Sequence, residues 1–326
     1  MRELTVVFGN GAIGHLVTEV LTGRGDQVRV AQRRPPKSLP SGAQFMACDV
    51  LQRDAVRAAV KGAAQVLLAV GFTYDARIWK TTWPQAVRNV IEACAEIGAK
   101  VVFIDNLYQL GPQTRPRTED MALSRDGEKA AILSDVTEIW MSARDRVRFA
   151  ALRCTDFYGP GVLVSHLGDS AFGRMSTGKK PMLIAPPDVP HDFAYAPDIA
   201  RAVVTLFDAT DDVYGQVWNM PCAPTRTPRQ LLQIGADELG LALKLVVMPL
   251  WLLPFAGLFD RFLKEVWDVR YTWDRPYQVD GSKFTRRFNF VPTPFEVGIP
   301  ATVRSFSGRA DDVSKKLLES SPNVVG

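Results

Sequence analysis

Gly9, Gly11 and Gly14 stand between an apolar run, Leu4-Thr5-Val6-Val7-Phe8, and a helical pattern that puts Ile13, Leu16, Val17, Val20 and Leu21 on one face. Glycines at this spacing, between a buried strand and a helix, can cradle the pyrophosphate of a dinucleotide. Gly9 would permit the tight turn, Gly11 would let the backbone approach the phosphates, and Gly14 would let the helix pack closely on the strand. The phosphates would meet the free N–H groups and the positive dipole end of that helix, which brings in Asn10, Ala12 and Ile13 as further contacts. The plainer alternative is a glycine-rich turn with no ligand.

More polar residues fall where such a ligand would need them. A second strand, Val28-Arg29-Val30-Ala31, ends in Gln32-Arg33-Arg34-Pro35. A site for NAD(H) places a carboxylate near the end of this strand to hold the ribose 2′-hydroxyl. Two guanidiniums in its place suit a 2′-phosphate, so Arg33 and Arg34 point to NADP(H) over NAD(H). Asp49, with Val50, follows a third strand (Gln44–Ala47) and is placed to accept from an adenine amino group. Ala69-Val70-Gly71, closing the strand that starts at Gln65, would let the backbone pass beside the cofactor. The strand Lys100–Ile104 ends in Asp105-Asn106-Leu107-Tyr108-Gln109, and residues just past strand ends face the ligand crevice of an open α/β sheet.

The elements that must position these groups follow a β-α-β-α-β rhythm. Helices are expected over Arg53–Lys61 and Pro84–Ile97. Near-continuous apolar strands are what a parallel sheet covered on both faces needs, so the fold class is α/β, a doubly wound parallel sheet of Rossmann type. Beyond Pro160 a helix is expected over Val162–Met175 and a proline-rich crossing over Lys179–Pro190. A helix follows near Asp198–Asp208, then a strand at Val217–Asn219. Thr227-Pro228-Arg229-Gln230 opens a further helix with a capping box.

The chain has 326 residues, enough for a large α/β unit and a smaller lobe, with 39 Lys+Arg against 35 Asp+Glu. These charges are dispersed, which argues against nucleic acid as a partner. Cys48, Cys94, Cys154 and Cys222 lie far apart and read as reduced thiols of a cytoplasmic protein. His15, His166 and His191 lack metal-ligand spacing, so no metal is expected. The apolar run Leu245–Phe259 is broken by Pro249 and Pro254 and is too short to span a bilayer. It reads as a buried cap or an oligomer surface, with interfacial membrane contact as the alternative. An aromatic-rich stretch from Trp251 to Tyr277 reads as core or as the wall of a flat, apolar substrate site.

Longer segments carry a resemblance. Arg153-Cys-Thr-Asp-Phe-Tyr158-Gly159-Pro160-Gly161 is similar to R-x-x-N-V-Y-G-P-G. His191-Asp192-Phe193-Ala194-Tyr195-Ala196-Pro197-Asp198 is similar to R-D-F-x-Y-V-x-D, and Tyr277 to Phe284 resembles a segment with D-x-S-K-x. Together these resemble the extended short-chain dehydrogenase/reductase superfamily, in its NAD(P)-dependent epimerase/dehydratase group. The glycine loop is tighter than that group's usual T-G-x-x-G-x-x-G, as in its atypical branch. The resemblance implies a nucleotide-binding domain of residues 1–161 and 191–224 and a substrate lobe of 162–190 and 225–326. It also implies a homodimer, and it places Tyr158 at the cofactor and substrate and His191 at the substrate.

The departures concern chemistry. Asn106 stands where the group has its catalytic serine. If Lys129 is the lysine of the Tyr-x-x-x-Lys pair, the tyrosine position is Arg125, and no tyrosine lies between Tyr108 and Tyr158. That tyrosine exchanges a proton with the substrate oxygen, and the lysine lowers its pKa. Tyr108 is the best-placed replacement, or else a packing or ribose contact. Lys129 reads as a proton donor, a ribose contact or a solvated residue, and Asn106 could polarise a carbonyl. His191 replaces an arginine that binds a sugar-nucleotide phosphate, which weakens the case for such a substrate. The expectation is an NADP(H)-dependent oxidoreductase acting on a small organic carbonyl or alcohol. The alternatives are a sugar-nucleotide epimerase or dehydratase and a non-catalytic NADP(H)-binding regulator.

Overall fold

The apolar runs of the N-terminal half become strands buried on both faces. The computed structural model describes residues 3–319. In chain order, β1 (Leu4–Phe8), α1 (Ala12–Gly23), β2 (Gln27–Gln32), β3 (Ala43–Ala47), α2 (Arg53–Val60), β4 (Ala63–Leu68), α3 (Ala76–Ile97), β5 (Lys100–Asp105), α4 (Glu128–Ser142) and β6 (Phe149–Arg153) build the first half. They are followed by β7 (Asp156–Tyr158), α5 (Arg174–Ser176), β8 (Met182–Leu183), β9 (Phe193–Tyr195), α6 (Ala196–Asp208), β10 (Val217–Asn219) and α7 (Pro228–Glu238). The chain continues through β11 (Val246–Val247), α8 (Leu253–Ala256), α9 (Arg261–Asp268), α10 (Ser282–Phe288) and α11 (Phe295–Glu319).

The main sheet has seven strands in the order β3-β2-β1-β4-β5-β6-β10, and every neighbouring pair is parallel. Strand order reverses between β1 and β4, and the crevice outside their carboxyl ends is where such sheets bind ligands. One face packs against α2, α3 and α4 around Val66, Trp83, Trp140 and Phe149. The other packs against α1 and α6 around Val7, Val17, Leu152 and Val203. A separate cluster joins Leu167, Phe172, Leu231, Phe295 and Val303, from the segments after β7 and from α7 and α11. These observations establish the doubly wound Rossmann-type fold.

Several boundaries differ from expectation. The helix expected from Pro84 begins at Ala76 and carries Pro84 inside it. Asp75 caps the true start, accepting the Arg77 N–H at 2.8 Å. Val162–Met175 is mostly not α-helix: Gly168–Gly173 forms a π-helical turn that runs into the short α5. The capping box at Thr227 and Gln230 forms in both directions. Leu245–Phe259 is not a buried cap, since Trp251 is 67%, Leu258 77% and Phe259 93% exposed. Among the described residues no helix is long and apolar enough to cross a membrane.

Candidate active site

The turn from β1 into α1 places its three glycines differently, and each position has a steric reason. Gly9 holds φ +95°, and a Cβ there would lie 2.8 Å from the Ala69 carbonyl oxygen. A Cβ on Gly14 would lie 1.9 Å from the carbonyl oxygen of Gly9, so helix and turn touch at that point. Around Gly11 the space is open to 4 Å. No side chain caps α1 and its first turn holds no acidic residue, so the N–H groups there are free for an anion. Asn10 Oδ1 is buried without a partner among the described residues; as an acceptor it suits a hydroxyl and not a phosphate. This cradle fits the pyrophosphate of a dinucleotide. Gly14→Ala is expected to push the turn aside at a cost of ~1–3 kcal/mol. The check is thermal-shift titration, in which the variant should lose most of the cofactor-induced rise in melting temperature.

From the cradle a groove of about 910 Å³ runs across the ends of β1, β2 and β4. Its lining includes Gly9, Asn10, Gly11, Arg33, Arg34, Asp49, Val50 and Ala69-Val70-Gly71. Gln32 takes the place an acidic residue would have at the end of β2. It is already engaged, accepting the Asn10 N–H at 2.9 Å and donating to the Arg34 carbonyl at 2.8 Å. Asp49 folds back on itself, its Oδ1 accepting the Leu51 N–H at 3.0 Å.

The groove opens, past Gly11 and Ala69 to Phe72, into a chamber of about 630 Å³ over the ends of β4, β5 and β6. Ala12, Ile13, Asn106, Tyr108 and His191 line it. Asn106 Oδ1 accepts the Tyr108 N–H at 2.9 Å, which leaves its amide N–H groups for the chamber. The Tyr108 hydroxyl lies 3.3 Å from that of Tyr74, and burial raises both phenols well above their ordinary range. These phenols therefore remain protonated and act as hydrogen-bond donors rather than as bases.

His191 is buried and lies flat against Trp273, with ring centroids 4.0 Å apart, and against Tyr277 at 4.9 Å. Its Nδ1 is 3.1 Å from the Thr272 carbonyl, which only accepts, so Nδ1 carries the proton. Burial holds the ring neutral, its pKa well below the usual histidine value, and Nε2 is left as an unpartnered acceptor.

Two expected contacts lie elsewhere. Lys129 is fully buried and lines neither cavity; its ammonium is paired with Glu265 and also donates to the Glu265 carbonyl at 3.2 Å. Tyr158 sits in the third core cluster between Tyr195 and Phe295, away from both linings. Arg125, at the tyrosine position, is exposed and paired with Asp135 and Glu138 at 2.6 and 2.9 Å.

The chamber also holds residues that the sequence did not single out: Tyr74, Trp79, Trp83, Thr155 and Asp156. Asp156 opens β7 and stands at the asparagine position of R-x-x-N-V-Y-G-P-G, a change from amide to acid that was visible in the sequence. For Tyr74 and the tryptophans of α3 no local signal exists. Among the described residues no group of three His, Cys, Asp or Glu could hold a metal ion.

Known structures share this architecture. A dTDP-glucose 4,6-dehydratase from Bacillus anthracis, solved with NAD, superposes with a TM-score of 0.76 at 14% identity, over 95% of this chain and 98% of its own. A UDP-glucose 4-epimerase from Thermotoga maritima, solved with UDP-glucose, gives 0.77 at 18% identity, over 94% and 99%. One from Thermus thermophilus, solved with NAD, gives 0.75 at 20% identity, over 94% and 99%. No protein of curated function matches in sequence. The family described as NAD dependent epimerase/dehydratase does match, over residues 5–220, from the first strand through β10. With the glycine cradle and the β1–β4 crevice in place, the chain belongs to the NAD-dependent epimerase/dehydratase family of enzymes.

Proposed function

We propose that this enzyme is an NADP(H)-dependent oxidoreductase acting on a small, uncharged organic carbonyl or alcohol. The observation that carries this reading is the lining of the chamber, where no Lys or Arg occurs among the described residues while Asp105 and Asp156 do. A nucleotide sugar would bring its pyrophosphate beside carboxylates, with no cation to compensate the lost hydration. His191, neutral and stacked, offers such a phosphate no positive charge. Trp79, Trp83, Phe157 and Trp273 instead give apolar walls suited to an uncharged ligand. Preference for NADP(H) rests on Arg33 and Arg34, which line the groove and make no ion pair among the described residues, and on Gln32 replacing an acid.

The cofactor supplies a hydride, given or taken at the substrate carbon. The protein's own residues orient the substrate. The Asn106 amide and the Tyr108 hydroxyl donate to the substrate oxygen, stabilising the charge that develops there. Lys129, committed to Glu265, serves as a structural tie and not as a proton donor.

NADPH consumption with a panel of neutral and anionic carbonyls tests this reading. Turnover with neutral members and none with anionic ones is expected. Conversion of a nucleotide sugar with no net NADPH consumption would instead establish an epimerase. Tyr108→Phe is expected to lower kcat/KM by about 10²-fold while leaving NADPH affinity intact; unchanged turnover would remove that hydroxyl from the site.

A further inference from the structure

The family's proton-exchanging tyrosine is absent, and neither Arg125 nor Lys129 reaches the chamber. The orienting donors do not fill the gap, because Asn106 has no proton to give and the two phenols are held far above neutrality. We propose that Asp156 gives the proton to the substrate oxygen in reduction and takes it back in oxidation. This assignment rests on the oxidoreductase reading above.

Position comes first. Asp156 lies at the start of β7, on the same chamber wall as Cys154, Thr155 and Phe157, and shares the lining with Asn106 and Tyr108. Its hydrogen bonding is sparse for a carboxylate: Oδ2 accepts the His166 backbone N–H at 3.3 Å, and Oδ1 has no partner among the described residues. Asp105, the other chamber carboxylate, is differently placed, held by Gln109 at 2.7 Å and Arg153 at 3.3 Å. Both bonds fall on Asp105 Oδ2, so a buried guanidinium balances that charge, whereas Asp156 pairs with no cation among the described residues.

The charged and titratable groups around Asp156 set its behaviour. Tyr74 from the loop before α3, Tyr108 after β5, and Tyr277 all feel its charge, and none can neutralise it. His166 meets it only through the backbone, and burial pushes that imidazole down to about 3, so it too is neutral. With no cation in the lining, burial pushes the Asp156 carboxyl up to about 7, against a small opposing effect of the His166 N–H. An acid of that strength exchanges protons readily at neutral pH.

The step balances without a further reagent. In reduction the carbonyl carbon gains a hydride and its electron pair from the reduced nicotinamide, which is thereby oxidised. The C=O π pair moves onto oxygen, and the new O–H bond forms as the Asp156 O–H bond breaks. The carboxylate left behind regains its proton from water at the chamber mouth. Oxidation of the alcohol runs the same events backwards.

The sign of the pH dependence follows. Reduction needs the acid form, so kcat/KM for reduction is expected to fall tenfold per pH unit above about 7, whereas kcat/KM for oxidation rises through the same region. Asp156→Asn is expected to lower kcat by about 10²–10⁴-fold and to flatten both profiles, with NADPH binding unchanged. Asp156→Glu should restore part of the rate.

A second readout needs no turnover. Because the folded-state pKa is raised above its unfolded value of 3.8, ionising Asp156 costs stability progressively as pH rises from about 4 to above 7. The melting temperature of Asp156→Asn relative to wild type should therefore climb over that range, and the difference should be level below it. A wild-type turnover profile reproduced by Asp156→Asn, or a melting difference flat with pH, overturns the assignment. A pH-dependent melting difference in a protein that reduces no carbonyl overturns the oxidoreductase reading instead, and with it the step.

Discussion

Glu265→Leu alone is expected to destabilise the protein by about 3–5 kcal/mol. Glu265 is 3% exposed and ties three helices together. Its carboxylate pairs with Lys129 on α4 and with Arg261 on α9 at 2.8 Å, and accepts the Ala76 N–H at the start of α3 at 3.0 Å. Removing it strands the buried Lys129 ammonium with the Glu265 backbone carbonyl and the face of Tyr74, 4.4 Å from that ring's centre. Neither compensates the lost hydration of a full charge. The double variant Lys129→Met with Glu265→Leu removes both charges and should recover much of the loss, because an apolar pair of similar volume costs little there. Chemical denaturation of wild type, both single variants and the double variant measures this. Additive losses across the cycle would show that the pair is not coupled.

The second large effect concerns cofactor choice. Arg33→Ala with Arg34→Ala is expected to weaken NADPH binding about 10–100-fold, the worth of charge-assisted hydrogen bonds to a phosphate, and to leave NADH binding nearly unchanged. Both side chains are exposed on the groove wall, so little stability should be lost and the change can be read as binding alone. Calorimetric titration with both cofactors, at two salt concentrations, checks it. A matched loss for NADH would place these arginines on a phosphate common to the two cofactors.

What the sequence disclosed, and what it hid, follows the range of the forces involved. The parallel sheet was legible because strands buried on both faces must be apolar throughout, and the glycine turn because only glycine fits at Gly9 and Gly14. Arg33, Arg34, Asn106 and Tyr108 were legible because they follow strand ends, which in this topology face the crevice. The start of α3 is masked because Pro84 reads locally as a helix opener. The real opener, Asp75, is reinforced by Arg261 from 186 residues away. Lys129 looked like a site residue because its role depends on Glu265, 136 residues distant, which no local pattern announces. The run Leu245–Phe259 looked like a cap because apolar composition alone does not say whether a neighbour covers it.

Asp156 is hidden in the sequence for another reason. Within a motif matched residue by residue, an acid in place of an amide reads as a near-equivalent. Its chemistry emerges only from the chamber around it, where, among the described residues, no cation and few donors meet the carboxylate. The proton-exchanging tyrosine and the arginine expected at position 191 are thus both replaced, and a neutral substrate served by a half-buried acid accounts for both changes.

A crystal structure with NADPH bound is the most direct measurement. The expected result has the pyrophosphate on the Gly9–Gly14 turn, the 2′-phosphate on Arg33 and Arg34, and the nicotinamide ring opening toward Asn106, Tyr108 and Asp156. A ribose turned away from the two arginines, or a nicotinamide ring that does not reach the Asp156 chamber, would contradict it.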